Sequence, residues 1–129
     1  MGGAGEGRGG RRKRRRLSRS GDFDRVYRDG RSHASRYLVV YSFPRSGEDD
    51  PRLGISVGRK VGGAVARNQV KRMLRDAFWA CGDDLPGGYD FVIVARPEMA
   101  AVASDRGAEG VEEELRAVLA TAGHSGQSA

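Results

Sequence analysis

The stretch AVARNQVKRMLRDAFWA, residues 64–80, decides how the rest of the chain can fold. Its apolar side chains recur at intervals of three and four residues, which is the spacing of one face of an α-helix. The members of this apolar stripe are Val70, Leu74, Ala77, Phe78 and Cys81. The stretch is therefore predicted to form an amphipathic helix from about Ala64 to Ala80 that packs on a core, with Gly82 ending it.

The same helix carries a second face that is basic. Its polar members are Arg67, Asn68, Lys71, Arg72 and Arg75. At 100° per residue, Arg67, Lys71 and Arg75 fall within about 80° of one another. Residues 59–75 include six basic side chains and no acidic one, so ion pairs within the stretch cannot neutralise this face. The pattern favours binding to a nucleic acid, and an ordinary solvated helix face is the alternative.

Shorter patterns on either side predict the remaining elements. Helices are predicted around Phe23–Tyr27, capped by Ser20 or Asp22 and ending at Gly30, and over Val111–Ala120. Strands are predicted at Tyr37–Phe43, Leu53–Val57 and Tyr89–Ala95, the first two as a hairpin. The order α-β-β-α-β-α indicates a single α+β sandwich in which helices cover one face of the sheet.

The charge is unevenly distributed along the 129 residues, whose formal net charge is +6. Residues 1–20 carry eight basic groups and one acid, whereas residues 76–129 carry three basic groups and ten acids. Residues 1–16 are mainly Gly and Arg, which cannot bury enough apolar surface to offset the entropy of folding. We expect a disordered basic Gly/Arg arm over residues 1–16, an α+β domain over 17–121 that binds nucleic acid, and a flexible tail over 122–129.

Cellular context follows from what the chain contains. Cys81 is the one cysteine, so an internal disulfide or a cysteine zinc cluster is excluded. No apolar run approaches the ~18 residues of a membrane span, and the basic N-terminus lacks the apolar segment of a secretory signal. We therefore expect a cytoplasmic protein with no membrane partner.

The side chains offer no constellation for protein-based catalysis. His33 and His124 are the only histidines, and neither has a carboxylate or cysteine at ligand spacing. Gly58–Gly63 is basic and glycine-rich but lacks the Gly-Lys-Ser/Thr order of a nucleotide-binding P-loop. We therefore predict no catalytic residues and no protein metal site in this chain.

Three aromatic residues suggest a more specific feature. Phe23 and Tyr27 lie one helical turn apart, and Tyr41 lies on a strand that could pass beneath that helix. A groove lined by aromatic rings can stack unpaired bases with little sequence preference. The alternative is that all three belong to the hydrophobic core.

Several motifs occur together in a fixed order. Residues 59–65, RKVGGAV, precede RNQVKRMLR at 67–75, with DFDRVYRDG at 22–30 before them and YDFVIVAR at 89–96 after them. In this combination the chain, over roughly residues 17–120, resembles the bacterial protein subunit of ribonuclease P. That family carries the signature Arg-Asn-Arg-x-x-Lys-Arg-x-x-Arg on its central helix.

The resemblance implies a function that the composition alone does not. In that family an RNA subunit performs the Mg²⁺-dependent hydrolysis that removes the 5′ leader from precursor tRNA, and the protein assists by binding both RNAs. The implied face for the ribonuclease P RNA consists of Arg59, Lys60, Arg67, Asn68, Lys71, Arg72 and Arg75. The implied groove for the precursor tRNA leader consists of Phe23, Tyr27 and Tyr41. The Mg²⁺ would be held mainly by the RNA, and the fold would contain a left-handed β-α-β crossover.

One position departs from the family pattern. Gln69 stands where the signature usually has a basic residue, so the interaction with RNA should lose about one counterion of salt dependence. We hypothesise that the arginine-rich arm compensates for this loss. The alternative function, a structural ribosomal protein or an RNA chaperone without a role in cleavage, shares the small basic α+β character.

Overall fold

The computed structural model describes residues 15–17, 20–45, 50–81, 85 and 87–123. Five strands are present, namely β1 (Arg15–Arg16), β2 (Arg31–Ala34), β3 (Leu38–Pro44), β4 (Arg52–Val57) and β5 (Tyr89–Ala95). The helices are α1 (Ser20–Asp29), a 3₁₀ helix (Arg59–Val61), α2 (Ala64–Ala80) and α3 (Met99–Thr121). The α+β fold is thus confirmed, and α2 has the predicted bounds.

The strands form one mixed sheet in the order β1-β4-β5-β3-β2. β5 lies at its centre, parallel to β4 and antiparallel to β3, with Ile93 opposite both Ile55 and Val40. β4, α2 and β5 therefore form a β-α-β unit of adjacent parallel strands, as the resemblance implies. The left-handedness of this β-α-β crossover stays a prediction.

The predicted hairpin between the first two predicted strands, Tyr37–Phe43 and Leu53–Val57, is wrong. β3 pairs with β2 and β5, whereas β4 pairs with β1 and β5. The true hairpin partner, β2, has the sequence Arg-Ser-His-Ala and lies at the sheet edge, where no apolar alternation is required. The sequence pattern therefore gave no strand signal for it.

Burial on both faces explains why the β5 sequence is almost continuously apolar. Phe91, Ile93 and Ala95 face a large core formed with α2 and α3, whereas Val92 faces a smaller cluster on the other side. The predicted apolar stripe of α2 lies in the large core, with Val70, Leu74, Ala77, Phe78 and Cys81 all buried. Docking of α2 on a core is thus confirmed.

α1 differs from the expectation that helices cover a single face. Its fully buried Val26 packs with Leu17 and Val92, on the face of the sheet opposite to α2 and α3. The partly buried Phe23 and Tyr41 extend this smaller cluster. The sheet consequently lies between α1 on one side and α2 with α3 on the other.

The ends of the chain also depart from the sequence pattern. α3 begins at Met99 rather than near Val111, and it is interrupted at Gly107, where φ is +64° and ψ is −158°. The glycine obscures the helical periodicity of its first half. Arg15 and Arg16, which we assigned to the disordered arm, instead form β1, while residues 1–14, Gly82 and the tail from His124 lie outside the described residues. Among the helices that the structure describes, none has the length and apolar character needed to cross a bilayer.

A buried carboxylate holds together the end of the sheet where β4 and β5 begin. Asp90 is 0% exposed and accepts hydrogen bonds from Arg45 Nη1 at 2.6 Å and from Arg52 Nε and Nη2 at 2.8 and 2.7 Å. Burial alone would raise the pKa of Asp90, but these hydrogen bonds outweigh it and hold the pKa below its usual value. Arg52 also lies 3.6 Å from Asp22 in the first turn of α1.

We predict that Asp90→Asn lowers the free energy of unfolding at pH 7 by about 2 kcal/mol, because Arg45 and Arg52 lose the buried carboxylate that accepts their hydrogen bonds. An unfolded aspartate has a pKa of about 4, and the folded-state pKa of Asp90 lies below this value. The contribution of Asp90 to the free energy of unfolding is therefore complete above about pH 4. It is lost as the pH falls through the folded-state pKa. Urea unfolding at pH 7 and at pH 3 should show the difference between mutant and wild type shrinking in acid.

The matched control is Asp105→Asn, which removes an exposed carboxylate from α3. This substitution should change the free energy of unfolding by less than about 0.5 kcal/mol at pH 7. Equal destabilisation by the two substitutions would contradict a structural role for the Asp90 network.

Candidate nucleic-acid interface

The basic face of α2 is available to an anion. Asn68, Arg72 and Arg75 are exposed, whereas Arg67 and Lys71 are partly buried. Among the residues that the structure describes, none of these cations forms an ion pair with a carboxylate. The first turn of α2 also lacks an acidic residue, so the positive end of the helix dipole is not offset there.

The segment before α2 adds two further cations. Arg59 and Lys60 are exposed on the 3₁₀ helix, which Val61 anchors in the large core. Gly62 follows with φ at +155°, and a Cβ at this position would lie 2.9 Å from Ala66 Cβ. A glycine is therefore required to turn the chain between the 3₁₀ helix and α2, and this turn keeps the two cations next to the start of the basic face.

Arg67 is distinguished by an unsatisfied donor. Its Nε is buried and has no hydrogen-bond partner among the described residues. Buried guanidinium nitrogens are normally paired because desolvation without a partner is costly. A phosphate or sugar oxygen of a bound nucleic acid would supply the missing acceptor.

The three predicted aromatic residues lie together. The ring centroids of Phe23 and Tyr27 are 6.3 Å apart, and those of Tyr27 and Tyr41 are 5.0 Å apart in an edge-to-face arrangement. Tyr27 is 39% exposed, whereas the other two are partly buried. Burial raises the pKa of Tyr27, although the hydrogen bond with Ser56 of β4 opposes the shift, so its hydroxyl remains protonated at neutral pH.

Two adjoining cavities follow β4 between α1 and α2. We call the first, of about 330 Å³, the β1 cavity, and the second, of about 470 Å³, the Tyr27 cavity. Both are lined by Phe23, Ile55 and Lys71. We refer to the two together as the cleft. Lys71 therefore connects the basic face of α2 with the aromatic cluster of α1.

The structure distributes the predicted site residues over the two parts of this interface. Phe23 and Tyr27 line the cleft, and Tyr41 packs against Tyr27 from beneath. Of the α2 face, Lys71 and Arg75 line the cleft, whereas Arg67, Asn68 and Arg72 line neither of its cavities. The basic face thus extends beyond the cleft.

Most residues that line the cleft were not assigned to the site by the sequence analysis, and four of them bear on its charge or shape. Arg15 and Arg16 line the β1 cavity because β1 pairs with β4. No local sequence pattern predicts this pairing. Trp79 lines the same cavity, and the spacing of Lys71, Arg75 and Trp79 at every fourth residue places them on one side of α2. That spacing could have identified the tryptophan. Gly54 is required because a Cβ there would lie 2.5 Å from Phe23 Cζ.

The described residues contain no group of three or more His, Cys, Asp or Glu side chains that could hold a metal ion. His33 lies on β2, at the edge of the sheet farthest from β1. The side chains that this interface presents are cations, which can bind phosphates, and aromatic rings, which can stack on bases.

A comparison with known proteins identifies the family of this chain. The family model described as Ribonuclease P matches residues 12–123. The chain belongs to the ribonuclease P protein family. It is accordingly a protein subunit of the ribonucleoprotein endoribonuclease ribonuclease P.

Individual members of the ribonuclease P protein family resemble this chain in sequence and in structure. The ribonuclease P protein component of Halalkalibacterium halodurans is 44% identical over 85 residues, which are 66% of this chain and 71% of that protein. The corresponding Bacillus cereus protein is 40% identical over 85 residues, 66% of this chain and 74% of its own length. The solved Staphylococcus aureus ribonuclease P protein superposes with a TM-score of 0.78 at 33% identity, over 88% of this chain and 99% of that one.

We predict that Gly54→Ala displaces the ring of Phe23 and narrows the cleft, at a cost of about 1 kcal/mol in the free energy of unfolding, because the added methyl group overlaps the ring. Ring-proton chemical shifts of Phe23 report the displacement, and urea unfolding reports the stability. Gly58→Ala is the control, since nothing lies within 4 Å of a Cβ there. Identical Phe23 shifts in the two variants would show that Gly54 does not shape the cleft.

Proposed function

We propose that this chain binds the RNA subunit of ribonuclease P and the 5′ leader of precursor tRNA, and thereby assists the Mg²⁺-dependent removal of the leader. The observation that carries the proposal is the position of Lys71, which belongs to the basic face of α2 and also lines the cleft beside Phe23. One continuous surface can therefore contact a folded RNA and an unpaired strand together.

The basic face would act by neutralising phosphates. Cations that replace the counterions of a polyanion gain the entropy of counterion release, and this gain falls as salt increases. The contacting residues would be Arg59, Lys60, Arg67, Asn68, Lys71, Arg72 and Arg75. Asn68 adds a neutral donor and acceptor for phosphate or sugar oxygens. Gln69 is also exposed and can contribute a hydrogen bond but no charge.

The cleft would hold the leader without reading its sequence. Phe23 and Tyr27 offer rings on which successive bases can stack, each worth about 1–3 kcal/mol, and Tyr41 would support the ring of Tyr27. Every base has a π-face, so leaders of different sequence would be accepted. Tyr27 is 39% exposed and lines the Tyr27 cavity, so part of its ring is accessible to a base.

The RNA subunit would perform the hydrolysis. Mg²⁺ prefers oxygen ligands that include phosphates and keeps several waters, which suits an RNA site. This chain would reduce the Mg²⁺ requirement indirectly, because its cations offset the repulsion between the phosphates of the two RNAs. It would also position the substrate by holding the leader on one side of the cleavage site.

We predict that Arg72→Ala weakens assembly with the RNA subunit by roughly tenfold and raises the Mg²⁺ concentration needed for cleavage, because one phosphate loses its partner. The measurement is cleavage of precursor tRNA by the reconstituted enzyme across a Mg²⁺ titration. Arg31→Ala removes an exposed cation from β2, at the opposite edge of the sheet, and should leave the titration unchanged. Equal cleavage by Arg72→Ala and wild type at low Mg²⁺ and physiological salt would contradict the proposal.

The same reconstitution separates the ribosomal or chaperone alternative. A ribosomal protein would copurify with ribosomal RNA and would not support leader removal. Copurification of a single ribonuclease P RNA would support the proposal made here.

A second prediction concerns the arm, whose residues 1–14 carry five basic groups and one acid. Deleting these residues should weaken binding to the RNA subunit and flatten the salt dependence by about one counterion or more, because arm cations would no longer compensate for Gln69. Affinity measured at several salt concentrations checks this. A full-length variant with the five cations replaced by Gln separates charge from length, and unchanged salt slopes in both variants would refute compensation by the arm.

A further inference from the structure

The β1 cavity has an unusual charge balance. Four of its ten lining residues are basic, namely Arg15, Arg16, Lys71 and Arg75, and none is acidic. Within the described part of the chain, these four form no ion pair. Four like charges around a cavity of about 330 Å³ repel one another, so an anion bound there would be strongly favoured.

The two arginines at the N-terminal side are held in place by the backbone. Arg15 and Arg16 pair in parallel with Arg52 and Leu53 of β4. The next residue, Leu17, donates its backbone N–H to Leu53 O at 2.9 Å and buries its side chain to 2% exposure. The end of the arm is thus fixed along one side of the cavity, opposite Lys71 and Arg75 of α2.

Trp79 supplies an aromatic surface in the same place. It lies one helical turn beyond Arg75, and its ring packs edge-to-face on the fully buried Phe78 with centroids 4.8 Å apart. The indole is only partly buried and, together with Phe23, lines the β1 cavity. Apolar contact with the core therefore fixes an aromatic side chain beside four cations that lack a carboxylate partner among the described residues.

We propose that the β1 cavity is a second nucleotide-binding compartment for single-stranded RNA, in which Arg15 and Arg16 contact phosphate and Trp79 contacts a base. This inference rests on the proposed binding of the leader in the cleft. Because Phe23 and Lys71 line both cavities, a strand that stacks on Tyr27 can continue past them toward Trp79. The compartment would extend the contacted part of the strand beyond the aromatic cluster of α1.

The test uses the intrinsic fluorescence of the enzyme reconstituted from the full chain and the RNA subunit. Trp79 is the one tryptophan of the chain, so emission excited at the indole band reports the β1 cavity alone. Rapid mixing with a precursor tRNA that carries a long leader should change this emission before cleavage, whereas mature tRNA should leave it unchanged. Leader removal with emission that does not respond to the leader would overturn the compartment and leave the proposed function standing. Failure to remove the leader at all would overturn both.

Substitutions provide an independent readout. Trp79→Leu should weaken binding of the leader-bearing precursor by about tenfold, and Trp79→Phe should retain part of the affinity because a ring remains. Neither should affect mature tRNA. Urea unfolding of both variants establishes that the fold persists, and equal precursor affinities for Trp79→Leu and wild type would overturn the role of the indole.

The arginines are tested as a pair. Arg15→Gln with Arg16→Gln should weaken precursor binding by about tenfold and flatten its salt dependence, because two phosphate-binding cations are removed. Arg31→Gln with Arg36→Gln removes the same charge from exposed positions in and next to β2, on the far edge of the sheet. Equal losses in the two double variants would show a general charge effect and overturn the compartment.

Discussion

The carboxylate of Asp90 is the anchor on which the architecture of the cleft depends. It binds Arg45 after β3 and Arg52 at the start of β4, and Arg52 in turn lies 3.6 Å from Asp22 in α1. Phe23 follows Asp22 directly, so the buried charge network joins the central strand to the helix that carries the aromatic rings. Such a network is expensive to desolvate, and its value lies in fixing the relative position of these elements.

The distribution of ion pairs differs between α3 and α2. Both arginines of α3 form ion pairs within the helix, Arg106 with Glu113 and Glu114 and Arg116 with Glu112. The cations of α2 have no such partners among the described residues, and they face the cleft or the surface beyond it. Cations without a carboxylate partner in the described part of the chain are thus concentrated on α2, which is the arrangement expected for a surface completed by a polyanion.

The sequence was sufficient to predict a helix or strand where the local periodicity of its apolar residues agrees with the tertiary packing. The apolar stripe that ends at Cys81 predicted α2 with its bounds, and the run from Tyr89 to Ala95 predicted the central strand. It was insufficient to predict strands that form only by pairing with residues distant in the sequence. The edge strands β1 and β2 have polar sequences, and their pairing is chosen by the sheet rather than by their own residues. The cleft was predicted through its aromatic residues, but its β1 side required the three-dimensional contact with β4.

The attachment of residues 1–14 at Arg15 has a consequence for how the arm can act. Arg15 and Arg16 of β1 line the β1 cavity, so the chain enters the described domain beside the proposed RNA-binding cleft. A tethered basic peptide experiences a local concentration of its target in the millimolar range for short flexible connections, even when its intrinsic affinity is weak. If the cleft binds RNA as proposed, contacts between residues 1–14 and that RNA would form within one complex and would need little intrinsic affinity.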